Sequence, residues 1–121
     1  MPVLLTIDDE TEFTSLIQNY FGPRGYQVMM ANDGQVGIKL LKETKPDVCL
    51  IDLKMPGIHG DEVLKQILAM YPAMKCIMIT ASEGEAKTRS YLMEIGAYTC
   101  FDKPLTSLRD LESKIKEALK S

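Results

Sequence analysis

The chain has 121 residues, 45% hydrophobic and 26% charged, and its 14 Lys+Arg against 17 Asp+Glu leave a net charge of −3. That length and balance describe one folded domain and exclude a disordered, collagen-like or fibrous chain. The acidic total, without any run of Lys or Arg, argues against direct nucleic-acid binding, and no apolar run approaches the roughly 20 residues that a membrane helix needs.

The opening Met-Pro-Val-Leu-Leu has no basic flank and no cleavage-type site, so it reads as a strand, Val3–Ile7, and not as an export signal. After it, Phe13, Leu16, Ile17, Tyr20 and Phe21 fall on one face at helical spacing, and Gly22-Pro23-Arg24-Gly25 ends that helix. A second strand, Gln27–Ala31, leads to a helix that opens at Asp33-Gly34, carries Val36, Leu40 and Leu41, and closes at Lys45-Pro46-Asp47. The third strand, Val48–Ile51, precedes a helix presenting Val63, Leu64, Ile67, Leu68 and Tyr71 and stopping before Pro72. The fourth, Cys76–Ile79, precedes a helix whose start, Ser82-Glu83-Gly84-Glu85, has a capping-box pattern. Its stripe of Ala86, Ser90 and Met93 is poor, which predicts a loosely held helix. A weaker strand at Thr99–Phe101 and a helix carrying Leu108, Leu111, Ile115 and Leu119 complete the chain.

The strand runs are nearly continuous and rich in β-branched residues, as expected of a parallel sheet covered on both faces. Strict alternation of strand and helix predicts an α/β fold, a (βα)5 doubly wound five-stranded parallel sheet with right-handed crossovers and no linkers. Cys49, Cys76 and Cys100 are far apart and set in apolar runs, so they read as buried reduced thiols. With His59 the only histidine, a Cys/His zinc site is not expected.

In such sheets the site lies beyond the carboxyl ends of the strands, where the strand order reverses. The residues there are Asp8 and Asp9 after strand one, Asp52 ending strand three, Thr80 ending strand four and Lys103 after strand five. Converging carboxylates repel one another and raise a pKa; a hard divalent cation relieves this, and Mg²⁺ suits carboxylates, water and phosphate oxygens. With a lysine and a hydroxyl aimed at the same place, the set matches the needs of a phosphoryl group, and Asp52 is the candidate acceptor. Each residue also has a plainer reading. Asp9 with Glu12 makes a helix capping box, Asp52 opens a turn before Met55-Pro56-Gly57, Thr80 is a strand residue, and Lys103 is a solvated loop lysine. Their joint occurrence at four strand ends favours the site.

Asp8-Asp9, the run Asp52-Leu53-Lys54-Met55-Pro56-Gly57-Ile58-His59-Gly60, Thr80-Ala81 and Lys103-Pro104 together resemble the motif set of response-regulator receiver domains of two-component signalling, over the whole of residues 1–121. The resemblance implies a flavodoxin-like strand order 2-1-3-4-5, with Asp52 accepting phosphate from a phosphohistidine. It implies Mg²⁺ held by Asp9, Asp52 and the backbone carbonyl of Lys54, with Asp8 acting through water. Lys103 and Thr80 would contact the phosphoryl oxygens, Ala81 would leave room for them, and the Lys103-Pro104 bond would be cis. Gly60 would suit a left-handed or tightly packed backbone. The implied partners are a sensor histidine kinase or phosphotransfer protein and an effector, with the fourth helix, fifth strand and fifth helix as the partner-binding or homodimer face. No direct nucleic-acid or membrane partner is expected, the implied location is cytoplasmic, and no enzymatic activity on external substrates is implied.

One departure concerns the switch. Receivers commonly carry Tyr or Phe three residues before the lysine, and here that position is Cys100. Phe101 is one residue away and so points to the opposite face of a strand. Among other readings, an Asp-nucleophile hydrolase would need an acid/base where Lys54 stands and an insertion over the site. In a flavodoxin-like electron carrier, Asp8-Asp9-Glu10 would repel the flavin phosphate. No Gly-x-Gly-x-x-Gly, P-loop or Gly-x-Ser-x-Gly pattern occurs. A degenerate receiver that binds partners without phosphate remains the alternative within the family.

Overall fold

A computed structural model describes residues 1–81 and 86–120. Five strands, β1 (Val3–Ile7), β2 (Gln27–Ala31), β3 (Val48–Asp52), β4 (Lys75–Thr80) and β5 (Thr99–Asp102), alternate with helices α1 (Thr11–Phe21), α2 (Gly34–Thr44), α3 (Gly60–Met70), α4 (Ala86–Glu94) and α5 (Leu108–Lys120). All four pairings are parallel and the order is β2-β1-β3-β4-β5, as expected. The order reverses between β1 and β3, so the crevice of the sheet lies at their carboxyl ends.

Burial follows sheet position. Every residue of β3 is buried, whereas the edge strand β2 is partly exposed. Successive side chains feed two cores. Leu5, Ile7, Cys49, Ile51, Cys76, Met78 and Cys100 face α2, α3 and α4, while Leu4, Val48, Leu50, Ile77 and Ile79 face α1 and α5. The three cysteines are free and buried. Cys49 and Cys76 are register partners, and their mutual hydrogen bond together with burial pushes the Cys49 thiol well up.

The helix stripes depart from expectation at single positions. Leu16, Val36 and Leu119 are 43%, 40% and 37% exposed. In α2 the sheet-facing residues are Gly34, Gly37, Ile38 and Leu41. Asp33 caps that helix by accepting a hydrogen bond from Val36 N at 2.8 Å. A Cβ on Gly37 would lie 2.5 Å from Ile7, so the missing side chain is what lets α2 reach β1. In α5 the buried face is Leu111, Glu112, Ile115 and Ala118, and Glu112 enters it by pairing with Arg24 at 2.9 Å. The expectation for α4 holds, since Leu92 is its buried residue among those described. The capping pattern at positions 82–85 lies outside the described residues.

The segment joining β3 to α3 is fixed by close approach. Gly60 N donates to Leu53 O at 2.7 Å, and a Cβ at Gly60 would stand 2.1 Å from the Asp52 carbonyl oxygen. No backbone atom can yield that far cheaply, so tight packing is the reason for glycine here. Gly60→Ala is expected to cost about 3 kcal/mol through displacement of the Asp52–Leu53 backbone. Urea denaturation checks this, and an unchanged midpoint would show that the loop adapts.

Candidate functional site

The register brings the expected residues to one edge. Ile7 pairs with Ile51, so Asp8 and Asp52 leave their strands side by side; Asp52 pairs with Ile79, one residue before Thr80, and Thr80 pairs with Asp102, one before Lys103. Backbone bonds continue the ladders past the strand ends: Asp8 N to Ala31 O at 3.0 Å, Leu53 N to Ile79 O at 3.0 Å and Lys103 N to Thr80 O at 2.8 Å. The Lys103-Pro104 bond is cis.

Asp8, Asp52 and Thr80 are 1%, 4% and 3% exposed. The Lys103 ammonium lies 2.8 Å from Asp8 Oδ2, 2.5 Å from Glu10 Oε1 and 3.7 Å from Asp52 Oδ1. It also sits 4.7 Å from the centre of the Phe13 ring. One Oδ of Asp8 accepts from Glu10 N at 2.9 Å, an Asx turn that carries the chain into α1. Glu10 is the N-cap residue of α1 and makes no side-chain cap bond. The Asp9–Glu12 capping box is therefore not formed.

Charge crowding sets the electrostatics. Burial, then the negative charge of Asp8, pushes the Asp52 carboxyl up to about 7; Lys103 pulls against this, and Asp9 and Glu10 add to the rise. Burial also raises Asp8, although Lys103 and the Glu10 N–H draw it back. Burial by itself would lower Lys103, but its bonds to Asp8 and Glu10 and the charge of Asp52 outweigh that, and the ammonium is held above its ordinary value.

Carboxylate oxygens of Asp8, Glu10 and Asp52 lie within 4.8 Å of one another. This is a set of hard oxygen donors with more negative charge than Lys103 neutralises, which fits a hard divalent cation. Asp9 and Lys54 are exposed, Asp9 directly after Asp8 and Lys54 on the bend after Asp52. The side chain of Asp9 stands outside the three-carboxylate group, although its charge reaches Asp52. Two members of the site were not singled out in the sequence. Glu10 carried the signal of a third consecutive acid after β1, and Phe13 was read only as part of a core stripe.

Residues 4–116 match the model of the response regulator receiver domain. The chain belongs to that family. It is 32% identical over 113 residues to the sporulation initiation phosphotransferase F of Bacillus subtilis (strain 168), covering 92% of this chain and 90% of that protein. It is 31% identical over 117 residues to the alkaline phosphatase synthesis transcriptional regulatory protein PhoP of the same organism, covering 97% of this chain but 48% of that protein. A response regulator receiver domain protein from Clostridium thermocellum superposes with a TM-score of 0.92 at 28% identity, covering 99% of this chain and 95% of that one. A CheY-like receiver domain protein from Methanospirillum hungatei JF-1 gives 0.91 at 28%, covering 99% and 94%. Receiver domains are signalling modules of two-component systems that interact with histidine kinases or phosphotransfer proteins and with effectors.

The raised Asp52 carboxyl has a consequence for stability. Because its folded value of about 7 exceeds the ordinary 3.8, the metal-free native state holds more protons than the unfolded chain between those values, and stability falls as pH rises through that window. Asp52→Asn is expected to flatten this slope, leaving the remainder from Asp8, and to stabilise the chelator-treated protein by about 2–4 kcal/mol near pH 8. Urea melts at about pH 5 and about pH 8 measure it. Equal wild-type and variant slopes would mean that Asp52 ionises freely.

Proposed function

We propose that residues 1–121 act as a cytoplasmic receiver module whose Asp52 accepts a phosphoryl group from a phosphohistidine of a sensor histidine kinase or phosphotransfer protein. The observation that carries this reading is a buried carboxylate at the switch point of the sheet, facing a protonated lysine within 3.7 Å and a second buried carboxylate. In the transfer, an ionised Asp52 oxygen attacks phosphorus, the bond from phosphorus to the imidazole nitrogen breaks, and its electron pair returns to the ring. Lys103 stays protonated in its acidic surroundings and offers N–H donors to the phosphoryl oxygens. The Thr80 hydroxyl, ending the adjacent strand, is the second donor.

The excess of carboxylate charge at this edge supports Mg²⁺ as the resident ion; Asp9, Asp52 and the Lys54 carbonyl would hold it, with Asp8 through water. When bound, it neutralises carboxylate charge and draws charge from the phosphoryl oxygens. The chain performs self-phosphotransfer and autodephosphorylation, with no chemistry on external substrates. Its output is a shift of the α4–β5–α5 face toward an effector or a second copy, and the sparse anchoring of α4 supports that choice.

Acetyl phosphate with Mg²⁺ is expected to add one phosphoryl group by intact mass, absent in Asp52→Asn; equal labelling of the variant would refute the assignment. Asp9→Ala should reduce both labelling and the thermal stabilisation given by excess Mg²⁺. Metal-induced stabilisation equal to wild type would remove Asp9 from the ligand set.

The switch is expected to run through Thr80. Cys100 is 4% exposed in the core that includes Leu92, while Phe101 packs into the opposite core, so Phe101 does not stand in for a ring at position 100. Thr80→Ala should keep labelling but lose most of the spectral response of α4 and β5 to beryllofluoride, and Cys100→Tyr should enlarge that response. A full response surviving Thr80→Ala would place the switch elsewhere.

A further inference from the structure

Glu10 is the residue of the site that the proposed transfer does not use. Its backbone is pinned by the Asx turn on Asp8, and its side chain, 63% exposed, returns over the site to place Oε1 2.5 Å from Lys103 Nζ. Lys103 Nζ is 3.7 Å from Asp52 Oδ1, beyond hydrogen-bond reach, while its two short contacts go to Asp8 and Glu10. The fixed partner is the buried Asp8, and the exchangeable one is Glu10, which reaches in from solvent. Carboxylate oxygens of Glu10 and Asp52 lie within 4.8 Å of one another. A phosphoryl group built on Asp52 would bring its oxygens against the Glu10 carboxylate and compete with it for the same ammonium.

Resting on the phosphotransfer reading above, we propose that Glu10 is a positioning residue that occupies Lys103 in the resting state and must be displaced by the incoming phosphoryl group. It sets how readily Asp52 is phosphorylated. Displacement is feasible because the side chain is mostly in water and, among the described residues, bonds through one oxygen to Lys103. Its resistance is electrostatic: an anion approaching Asp52 meets a further negative charge, and the lysine that should receive it is already engaged.

The chemistry separates this role from metal binding and from structural support. Loss of negative charge at Glu10 lowers affinity for any cation, so rates are compared at saturating Mg²⁺ for each protein. There Glu10→Gln is expected to be phosphorylated by acetyl phosphate about threefold to tenfold faster than wild type at low ionic strength. The advantage should shrink as added salt brings the screening length below about 10 Å. Glu10→Ala should match Glu10→Gln, and Glu10→Asp, which keeps the charge on a shorter arm, should fall between them and wild type. In the chelator-treated proteins, the side-chain ammonium signal of Lys103 should move in Glu10→Gln relative to wild type, independently of any transfer.

A Glu10→Gln rate equal to or below wild type at saturating Mg²⁺, or a rate advantage insensitive to salt, would overturn the proposal. An unmoved Lys103 signal would do the same. Absence of labelling in wild type itself would overturn the phosphotransfer reading and this inference with it, an outcome distinct from a labelled wild type with an indifferent Glu10.

Discussion

The ammonium of Lys103 is the point on which the carboxyl edge of the sheet depends. Two buried carboxylates, Asp8 and Asp52, end adjacent central strands, and Glu10 reaches in beside them. Without a cation among them the mutual repulsion would oppose folding, because buried charge is tolerated only when paired. Lys103 comes from the far side of β4, its backbone held by Thr80 O, its stem shielded and its ammonium resting near the Phe13 ring. The arrangement is incomplete: one lysine faces three carboxylates, and burial, followed by the charge of the neighbouring carboxylates, raises Asp52 to about 7.

That excess works against stability and is carried by the rest of the molecule. β3 is buried throughout and flanked by β1 and β4, so Asp52 leaves the sheet from its central, fully buried strand. The next residues are pinned from two sides, Leu53 N by Ile79 O and Leu53 O by Gly60 N. A site whose groups repel one another keeps its geometry only if its backbone cannot relax away, and the close approach at Gly60 supplies that constraint.

Strands and the site's location were legible in the sequence because both rest on coarse signals. Continuous apolar runs such as Val48–Ile51 mark a sheet covered on both faces, and the carboxyl-end rule then selects Asp8, Asp52, Thr80 and Lys103. The misses were positions where the relevant residue has no hydropathy of its own. Gly37 lets α2 approach Ile7 but contributes nothing to an apolar stripe, so a stripe of Val36, Leu40 and Leu41 finds the buried Leu41 but includes the exposed Val36 and omits Gly37 and Ile38. Glu112 is buried through its pairing with Arg24, a contact of long sequence separation that no local period reveals. Glu10 was hidden for a similar reason. Its importance comes from where its side chain reaches, across to residue 103, while its position in sequence suggests only a helix start.

On the proposed reading, coupling from this edge to the surface runs through α4, whose buried residue among those described is Leu92. Leu92 anchors it in the core, and Tyr91 OH donates to Asp61 Oδ2 at 2.9 Å on the first turn of α3, with the Lys65 ammonium 5.6 Å from the Tyr91 ring. An exposed bond of this kind is worth little net, about 1 kcal/mol. A ligand shifts an equilibrium between two seatings of a helix only by its differential affinity for them. On the proposed reading that difference comes from Thr80, and the residue at position 100 is the small Cys100 and not a ring. On that reading, a hydroxyl contact at the sheet edge acts on a helix whose buried side chain, among the described residues, is Leu92, so the proposed switch works through a small polar contact at Thr80 and not through the packing of a ring at position 100.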